Sequence, residues 1–380
     1  MEEKDRDGNY PLLLAISNNN IEMVKSLIEY TNQQQITLNL NEKNKYENYP
    51  LLEAISKNNT EIIKLLLENA RQHQIIMYLN EKDKYGWYPF YWAISKDNVE
   101  IVKLLIEYAD QQEIILYINE KDKRGFYPLY WAISNHNVEI VKLLLKYASE
   151  HQIILYLNEK NSDGYYPLYW VISKNNTEIV KLLIEYANQQ QITLNLNDKN
   201  NYENYPLLKA TSNNNIEIAK LLIDYAIQQQ IILNLNEKDR DGYYPLLEAI
   251  NNDNIEMAKL LIKYANQQQI TLNLDERNNN EYYYPLYLAI YKNNPEIIKL
   301  LIEYANQRQI VLNLNEKTKD GHYPISETIS KNNVEIIKLL TDYASQHHII
   351  IEYDEYVGFN SEIMQLLQNY EKLKEKWEMV

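Results

Sequence analysis

Tyr-Pro dipeptides at a nearly constant spacing are the feature that most constrains the fold of this chain. Nine of the ten prolines follow a tyrosine, and successive copies lie 39 residues apart, except for one interval of 40. The nine are Pro11, Pro50, Pro89, Pro128, Pro167, Pro206, Pro245, Pro285 and Pro324. A fixed period of this length indicates an array of small units that stack on one another. It outweighs the two or three separate domains that a chain of 380 residues would suggest by default.

Each unit carries the sequence signals of two helices. A turn leads to the proline, which suits the first position of a short apolar helix because its missing N–H costs nothing there. Asn, Asp or His then ends this helix, since these residues tolerate a left-handed backbone. The next residue is asparagine in every unit, and we interpret it as the N-cap of a second helix. A glutamate two residues after the cap and a lysine three residues later predict an ion pair within that helix.

This unit resembles the ankyrin repeat, whose pattern is D-x-x-G-x-T-P-L-H-x-A, two further residues and G-H-x-E-I-V-x-L-L. The third unit carries the matching residues Asp83, Gly86, Pro89, Phe90, Ala93, Glu100, Ile101, Val102, Leu104 and Leu105. The resemblance covers residues 2 to about 353 in nine registered copies. It implies an all-α, ankyrin-like solenoid of helix-turn-helix units. We therefore assign residues 1–353 to nine repeats that form one solenoid, and residues 354–380 to a degenerate C-terminal capping segment.

Three departures from the ankyrin pattern lead to structural predictions. In ankyrin repeats the side chains of the threonine before the proline and of the histidine hydrogen-bond each other and form a polar clasp. Here the threonine is always tyrosine and the histidine is Leu, Tyr or Ser, so we expect an apolar contact in place of that clasp. The glycine that stops the second helix is alanine in eight units and Thr31 in the first. This helix should therefore run on and account for most of the roughly six residues beyond the usual 33 or so. Glu47, Glu203 and Tyr282 replace the turn glycine in repeats 2, 6 and 8, so those turns should differ in shape.

The two ends of the array differ in polarity. Residues 361–380 keep a helical apolar spacing, which predicts a capping helix with one polar face. The apolar positions are Ile363, Leu366, Leu367, Tyr370 and Trp377. The first helix of repeat 1, by contrast, has no polar outer face. Because a solenoid needs polar cover at both ends, either the chain is a piece of a longer array, which we favour, or something else covers that end.

Composition excludes several classes of function. The chain has no cysteine, which excludes a disulfide scaffold, a thiolate metal site and a cysteine nucleophile. Its formal charge of −15 argues against nucleic-acid binding, and no apolar stretch approaches the length of a membrane-spanning helix. The six histidines lie at variable positions, and no phosphate loop or nucleophile elbow is present. We therefore expect a monomeric, cytoplasmic protein without catalytic activity, cofactor or metal, with the nucleus as an alternative compartment.

Aromatic residues at two positions set repeats 3, 4 and 5 apart. Two residues before the proline and three residues after it, sister repeats accept Asn, Glu or Lys, so neither position is deeply buried. Repeats 3 to 5 place rings at both positions, namely Trp87, Trp92, Phe126, Trp131, Tyr165 and Trp170. In the ankyrin family these turn tips and first helices form the concave face, where partners usually bind. Residues one helical turn further on, such as Ser95 and Lys96, should share that face.

The spacing of stacked helices leads to a prediction about these rings. Neighbouring helices lie about 8–10 Å apart, which exceeds the roughly 4.5–7 Å between the centroids of an aromatic pair. We therefore expect open slots between the rings of successive repeats. The other interpretation is that the rings simply pack against Tyr91, Tyr130 and Tyr169 and have no role in recognition.

The function predicted from the sequence is a non-enzymatic scaffold that binds a protein or peptide on the concave face, over these six aromatic residues. The negative net charge favours a partner with basic residues, whose guanidinium groups stack well on tryptophan. Two other functions stay open. One is a carbohydrate-binding module that stacks sugar rings on the tryptophans. The other is a targeting array detached from a larger effector or adaptor protein.

Overall fold

The structure is a computed structural model that describes residues 4–354 and 360–378, with side chains described as far as residue 373. Within these residues it contains nineteen helices and no β-strand. Contacts divide the chain into two units, residues 1–194 and 195–380, which are described separately. Each repeat contributes one short helix that begins at its proline and one longer helix that begins after its cap asparagine.

The first unit contains five helix pairs. They are α1 (Pro11–Ser17) and α2 (Ile21–Gln34), α3 (Pro50–Ser56) and α4 (Thr60–Gln72), α5 (Pro89–Ser95) and α6 (Val99–Gln111), α7 (Pro128–Ser134) and α8 (Val138–Glu150), α9 (Pro167–Ser173) and α10 (Thr177–Gln189). Short helices pack on the short helix of the next repeat, and long helices pack on the next long helix. This stacking buries the apolar face of each long helix, as at Ile101, Val102 and Leu105.

The second unit repeats the arrangement four times and adds one helix. The pairs are α11 (Pro206–Ser212) and α12 (Ile216–Gln228), α13 (Pro245–Asn251) and α14 (Ile255–Gln267), α15 (Pro285–Tyr291) and α16 (Pro295–Arg308), α17 (Pro324–Ser330) and α18 (Val334–His347). The last helix, α19 (Ser361–Glu378), packs on α18.

The repeated polar residues end and begin the helices as predicted. The helix-stop residue before each cap has a left-handed backbone, with φ of 58° at Asp97. The cap side chain accepts a hydrogen bond from the backbone N–H three residues on in all nine repeats, as Asn98 does from Ile101 at 3.1 Å. The Asn98 amide also donates to Asn58, the helix stop of the previous repeat, at 2.8 Å. One side chain thus caps its own helix and bonds to the neighbouring repeat.

The tyrosine before each proline forms a polar clasp, so the prediction of a purely apolar contact was wrong. Tyr49 is fully buried, and its hydroxyl lies within hydrogen-bonding distance of the backbone carbonyls of Tyr78 and Glu81, at 3.0 and 3.1 Å. Tyr10, Tyr244 and Tyr284 repeat this pair of contacts. The ring supplies apolar packing while the hydroxyl satisfies carbonyls that lie outside any helix.

A second tyrosine, near the end of the long helix, bonds to the previous repeat. The Tyr108 hydroxyl donates to the Ile75 carbonyl at 2.9 Å and accepts from the Met77 N–H at 3.3 Å. Tyr186, Tyr264, Tyr304 and Tyr343 make the equivalent two bonds. The two tyrosine positions account for much of the chain's 35 tyrosines, and at most of them the hydroxyl bonds to backbone groups that have no helical partner.

The long helix runs past its alanine as predicted, but by only two or three residues. In repeat 2 it ends at Gln72, two residues after Ala70, and Gln74 then adopts a left-handed backbone with φ of 55°. Residues 75–79 follow with strand-like alternation, because Ile76 and Tyr78 are exposed while the residues after each are buried. Much of the additional length of the unit is therefore a left-handed turn and a strand-like segment rather than helix.

An asparagine of the previous repeat bonds along this segment. The Asn41 side chain donates to the Ile76 carbonyl at 2.7 Å and accepts from the Tyr78 N–H at 3.1 Å. Asn80, Asn119 and Asn315 bond to the following repeat in the same way. Each of these amides therefore takes the place of a neighbouring β-strand.

The turns without glycine keep the shape of the others, contrary to the prediction for repeats 2 and 6. Glu47 and Glu203 adopt φ of 64° and 62°, and the Glu47 N–H bonds to the Asn44 carbonyl as the Gly86 N–H does to Asp83. In repeat 8 the left-handed residue is Glu281 rather than Tyr282, because the inserted residue shifts the turn by one position. In these turns the left-handed backbone of a residue other than glycine costs about 1–2 kcal/mol of folding free energy each.

The recurring lysine of the long helix mostly bonds to the next repeat, which corrects the predicted ion pair within the helix. Lys64 lies 2.5 Å from Glu100, and Lys103 lies 2.9 Å from Glu139, in each case across two stacked helices. Lys25, Lys259 and Lys299 also form the pair within one helix. All of these groups are exposed, so each pair contributes at most about 1 kcal/mol.

The helix α19 takes the place of a long helix in the second unit. Ile363, Leu367 and Tyr370 are buried, while Leu366 is half-buried and Trp377 lies outside the described side chains. The Tyr370 hydroxyl bonds to the Ile349 carbonyl and to the Ile351 N–H, as the tyrosines of the repeats do. In the first unit, Tyr30 of α2 is 51% exposed at the position that Tyr108 buries completely. The domain boundary at residue 353 and the longer array stay predictions.

No helix in residues 4–354 and 360–378 has the length and apolar composition to cross a bilayer. The same residues contain no cluster of three or more histidine and carboxylate side chains arranged to hold a metal ion.

Candidate functional site

The turn tips of repeats 3 to 5 are held by an Asp or Asn at the start of each turn. Asp83 accepts hydrogen bonds from the backbone N–H groups of Tyr85 and Trp87, both at 2.8 Å. Asp122 and Asn161 hold the tips that carry Phe126 and Tyr165 in the same way. The short helix then begins two residues after the tip, so the tip ring and the ring three residues into the helix point to one surface.

The six aromatic residues singled out from the sequence form one continuous cluster in the first unit, which we call the aromatic cluster. Its members are Trp87, Trp92, Phe126, Trp131, Tyr165 and Trp170, and all six side chains are half-buried. Within a repeat, the centroids of Trp87 and Trp92 lie 4.6 Å apart, and those of Tyr165 and Trp170 lie 5.2 Å apart. Between repeats, Trp87 lies 6.1 Å from Trp131, and Phe126 lies 6.1 Å from Trp170.

These contacts show that the predicted open slots between rings are wrong. The prediction considered equivalent positions of successive repeats, whereas the contacts run diagonally from the turn tip of one repeat to the short helix of the next. The distances lie within the usual range for edge-to-face aromatic pairs. The rings therefore form a nearly continuous apolar surface.

A layer of buried tyrosines lies beneath the aromatic cluster. Tyr91, Tyr130 and Tyr169 are at most 4% exposed, and their rings lie 4.9 to 5.4 Å from the turn-tip rings of Trp87, Phe126 and Tyr165 respectively. The packing predicted by the alternative interpretation is therefore present. It supports the outer rings from below and leaves part of each ring exposed.

Three of the four indole N–H groups of the cluster are bonded within the protein. Trp92 donates to Asp83 at 3.1 Å, and Trp170 donates to Ser134 at 2.8 Å. Trp131 donates to the Tyr91 hydroxyl, which in turn donates to Asp122 at 2.9 Å. Burial raises the pKa of the Tyr91 hydroxyl far above its usual value, so it remains a donor at physiological pH. These three indoles therefore offer a partner ring carbons rather than N–H donors, whereas the Trp87 indole N–H has no hydrogen-bond partner in the described residues.

Cationic side chains lie over three of the rings. The Lys96 ammonium is 5.2 Å from the Trp92 ring, and the Lys174 ammonium is 4.7 Å from the Trp170 ring. The Arg124 guanidinium is 5.3 Å from the Phe126 ring. The prediction that Lys96 shares the face of Trp92 is confirmed. One face of each of these rings is occupied by the chain's own cation, which leaves less room for the guanidinium groups of a basic partner.

The lysines and the turn aspartates contact the aromatic cluster in ways that the sequence pattern did not predict in full. Lys174 was not singled out, although it occupies the position of Lys96 two repeats later. Asp83 and Asp122 each accept a hydrogen bond from an aromatic side chain of the cluster or its supporting layer, which the repeat pattern does not indicate. Reading positions three and seven after each proline together would have revealed the lysines.

A cavity in repeat 1 lies away from the aromatic cluster. It has a volume of about 340 Å³ and is lined in repeat 1 by residues that include Tyr10, Leu27, Ile36 and Leu38. Lys4 and Glu42 are its charged residues, and they form an ion pair with each other.

Comparisons with known proteins agree with the repeat architecture. The profile described as "Ankyrin repeats (3 copies)" matches residues 1–76, 72–154, 149–232 and 227–310. Among solved structures, the chain is similar to the ankyrin repeat domain of Bcl-3, a member of the IkappaB protein family. That similarity covers 67% of this chain and 100% of that one at 18% identity, with a TM-score of 0.48. No curated protein sequence matches the chain significantly. Because the profile matches cover most of the chain, the protein belongs to the ankyrin-repeat family.

Proposed function

We propose that this protein is a non-enzymatic interaction scaffold and that the aromatic cluster is its binding site for a protein or peptide. Ankyrin repeats generally mediate protein–protein interaction, which supports the general function. The observation that supports this particular site is a local difference in sequence between repeats 3 to 5 and the other repeats. Six half-exposed rings occupy three consecutive repeats at positions where sister repeats have residues such as Asn48, Glu53 and Lys209.

The chemistry of the aromatic cluster suits a protein partner. Tryptophan and tyrosine are enriched among the residues that dominate binding energy in protein interfaces. The supporting tyrosines and the bonded indoles hold the rings in place before binding, which reduces the entropy lost on association. A sugar would need a free ring face to stack on, and the close ring contacts and the lysines leave little of one. The contacts therefore favour a protein partner over the carbohydrate alternative.

Replacing the three helix tryptophans with residues from sister repeats tests this proposal. The variant Trp92→Glu/Trp131→Leu/Trp170→Glu uses the residue types found at Glu53, Leu14 and Glu327, so the short helices should keep their structure. We expect partner recovery in a pull-down to be lost, and the affinity for a recovered partner to fall more than about 100-fold. This estimate assumes that at least one of the rings is a hot spot worth about 2 kcal/mol or more and that the others add to it.

A matched control replaces aromatic turn tips outside the aromatic cluster. Tyr243→Asn/Tyr283→Asn introduces the residue that Asn48 and Asn204 provide at the same position. This variant should recover the partner as the wild-type chain does. Equal recovery by the tryptophan variant would place the binding site elsewhere. A change in tryptophan fluorescence on titration with oligosaccharides would favour the carbohydrate alternative instead.

A further inference from the structure

The residue that follows each short helix lies seven positions after the proline, and it is lysine in five repeats. In repeats 2 and 9, Lys57 and Lys331 each form an ion pair with the glutamate four residues earlier, at 3.5 and 3.1 Å. In these two repeats the cation and its carboxylate belong to the same repeat. Such a pair needs no group from outside.

In repeats 3 and 5 the glutamate is replaced by a tryptophan of the aromatic cluster. Lys96 and Lys174 consequently lie over Trp92 and Trp170. Within residues 4–354 and 360–378, neither lysine forms an ion pair with a carboxylate. A ring face attracts the ammonium but neutralises none of its charge and accepts no conventional hydrogen bond from it.

Few carboxylates accompany the aromatic cluster in the sequence, and two of them are hydrogen-bonded within the chain. Residues 83–97, 122–136 and 161–175 contain five lysines and arginines against four aspartates. Two of these aspartates, Asp83 and Asp122, accept bonds from backbone N–H groups and from an aromatic side chain. These three segments therefore carry a small positive net charge, although the chain as a whole is strongly negative.

We propose that the partner segment bound at the aromatic cluster is acidic and apolar, with one carboxylate paired to Lys96 and a second paired to Lys174. This inference rests on the proposed function. Each carboxylate would accept charge-assisted hydrogen bonds from an ammonium that remains over its tryptophan. Apolar side chains of the segment would cover the rings between the two lysines. The charge at the site thus favours an acidic partner, whereas the net charge of the whole chain favoured a basic one.

The geometry of the repeats sets the spacing of the two carboxylates. Lys96 and Lys174 are two repeats apart, and stacked helices are separated by about 8–10 Å, so the two ammonium groups lie roughly 16–20 Å apart. An extended chain advances about 3.3 Å per residue, so the two acidic residues should be five or six positions apart. Repeat 4 adds no third cation at this position, because it has Asn135, whose amide donates to the Ile94 carbonyl at 3.1 Å.

Selection from a random twelve-residue peptide library displayed on phage tests the proposal. The library is selected on the full chain and counter-selected on the Trp92→Glu/Trp131→Leu/Trp170→Glu variant. We expect enriched peptides to carry two Asp or Glu residues five or six positions apart, with apolar residues between them. Enrichment of basic or uncharged peptides would overturn the acidic partner and leave the binding site intact. No enrichment over the counter-selecting variant would contradict both this inference and the proposed site.

Two lysine variants then measure the contribution of the pairing. Lys96→Gln/Lys174→Gln removes both cations, and Lys57→Gln/Lys331→Gln removes the equivalent lysines that have their own glutamates. Affinity for the enriched peptide, measured by fluorescence anisotropy, should fall by up to about fivefold per lysine in the first variant, which is the usual limit for an exposed pair. The affinity of this first variant should also depend much less on salt concentration than that of the wild type. The second variant should bind as the wild type does, and equal binding by both variants would overturn the proposal.

Discussion

The substitution Asn69→Tyr is expected to stabilise the folded state by about 2–4 kcal/mol, because it would pair buried groups that now have no partner. Asn69 occupies the position of Tyr108 in repeat 2, is 2% exposed, and neither its amide oxygen nor its amide nitrogen is hydrogen-bonded. The groups that a tyrosine would reach are the Ile36 carbonyl and the Leu38 N–H, by analogy with Ile75 and Met77. In the described residues neither is bonded to the protein, and both residues line the cavity of repeat 1.

The reverse substitution provides a matched test. Tyr108→Asn should cost about 4 kcal/mol, because it removes a buried ring and leaves the Met77 N–H and the Ile75 carbonyl unpaired. Tyr108→Phe keeps the ring and isolates the hydroxyl, so it should cost about 1–3 kcal/mol.

Local measurements suit these variants, because repeat arrays unfold in a graded manner. Hydrogen exchange at the Leu38 and Met77 amides, together with urea unfolding, would report them. Exchange at Leu38 should slow in Asn69→Tyr, and exchange at Met77 should accelerate in both Tyr108 variants. An unchanged Leu38 amide, or a lower stability of Asn69→Tyr, would contradict the prediction.

The substitution Gly242→Ala is expected to destabilise the second unit by about 2–5 kcal/mol, the sum of backbone strain and overpacking. Gly242 has φ of 86°, which strains any residue with a Cβ atom. An added Cβ would also lie 2.3 Å from the backbone nitrogen of Asn279. That nitrogen donates to the Asp241 carbonyl at 3.0 Å, so a displacement would break a bond between two neighbouring turns.

Gly86→Ala separates the two effects. Gly86 has almost the same backbone, with φ of 87°, but an added Cβ would meet no atom within 4 Å. This variant should therefore cost only the strain of the left-handed conformation, about 1–2 kcal/mol. Thermal unfolding of both variants, followed by circular dichroism, would compare them. Equal losses would show that the contact with Asn279 relaxes without cost.

Much of the fold could be predicted because nine copies of one unit act as an alignment within a single chain. Residues that never vary, such as the cap asparagine and the tyrosine before the proline, identified helix starts and core positions. Their detailed bonds could not be predicted, because a hydroxyl on a buried ring finds its partner only through the path of a distant segment. Tyr49 and Tyr78, for example, are 29 residues apart.

The aromatic cluster shows the same limit at the level of the site. Variation among repeats identified the six positions, and the structure brings their rings together on one surface. The spacing of equivalent residues predicted slots, because it describes only the repeat translation. The contacts that close the slots join different positions of neighbouring repeats, and these depend on ring orientation, which a one-dimensional pattern does not contain.

The strand-like segments have a consequence for how the protein avoids aggregation. Residues 75–79 read Ile-Ile-Met-Tyr-Leu, a short, uncharged, β-prone run of the kind that stacks into amyloid when its backbone is available. Here Tyr49, Tyr108 and Asn41 bond to that backbone through side chains. A foreign strand would therefore find few free donors or acceptors along it. Polar side chains thus protect a hazardous sequence, and this protection would be lost wherever a joint between two repeats opens.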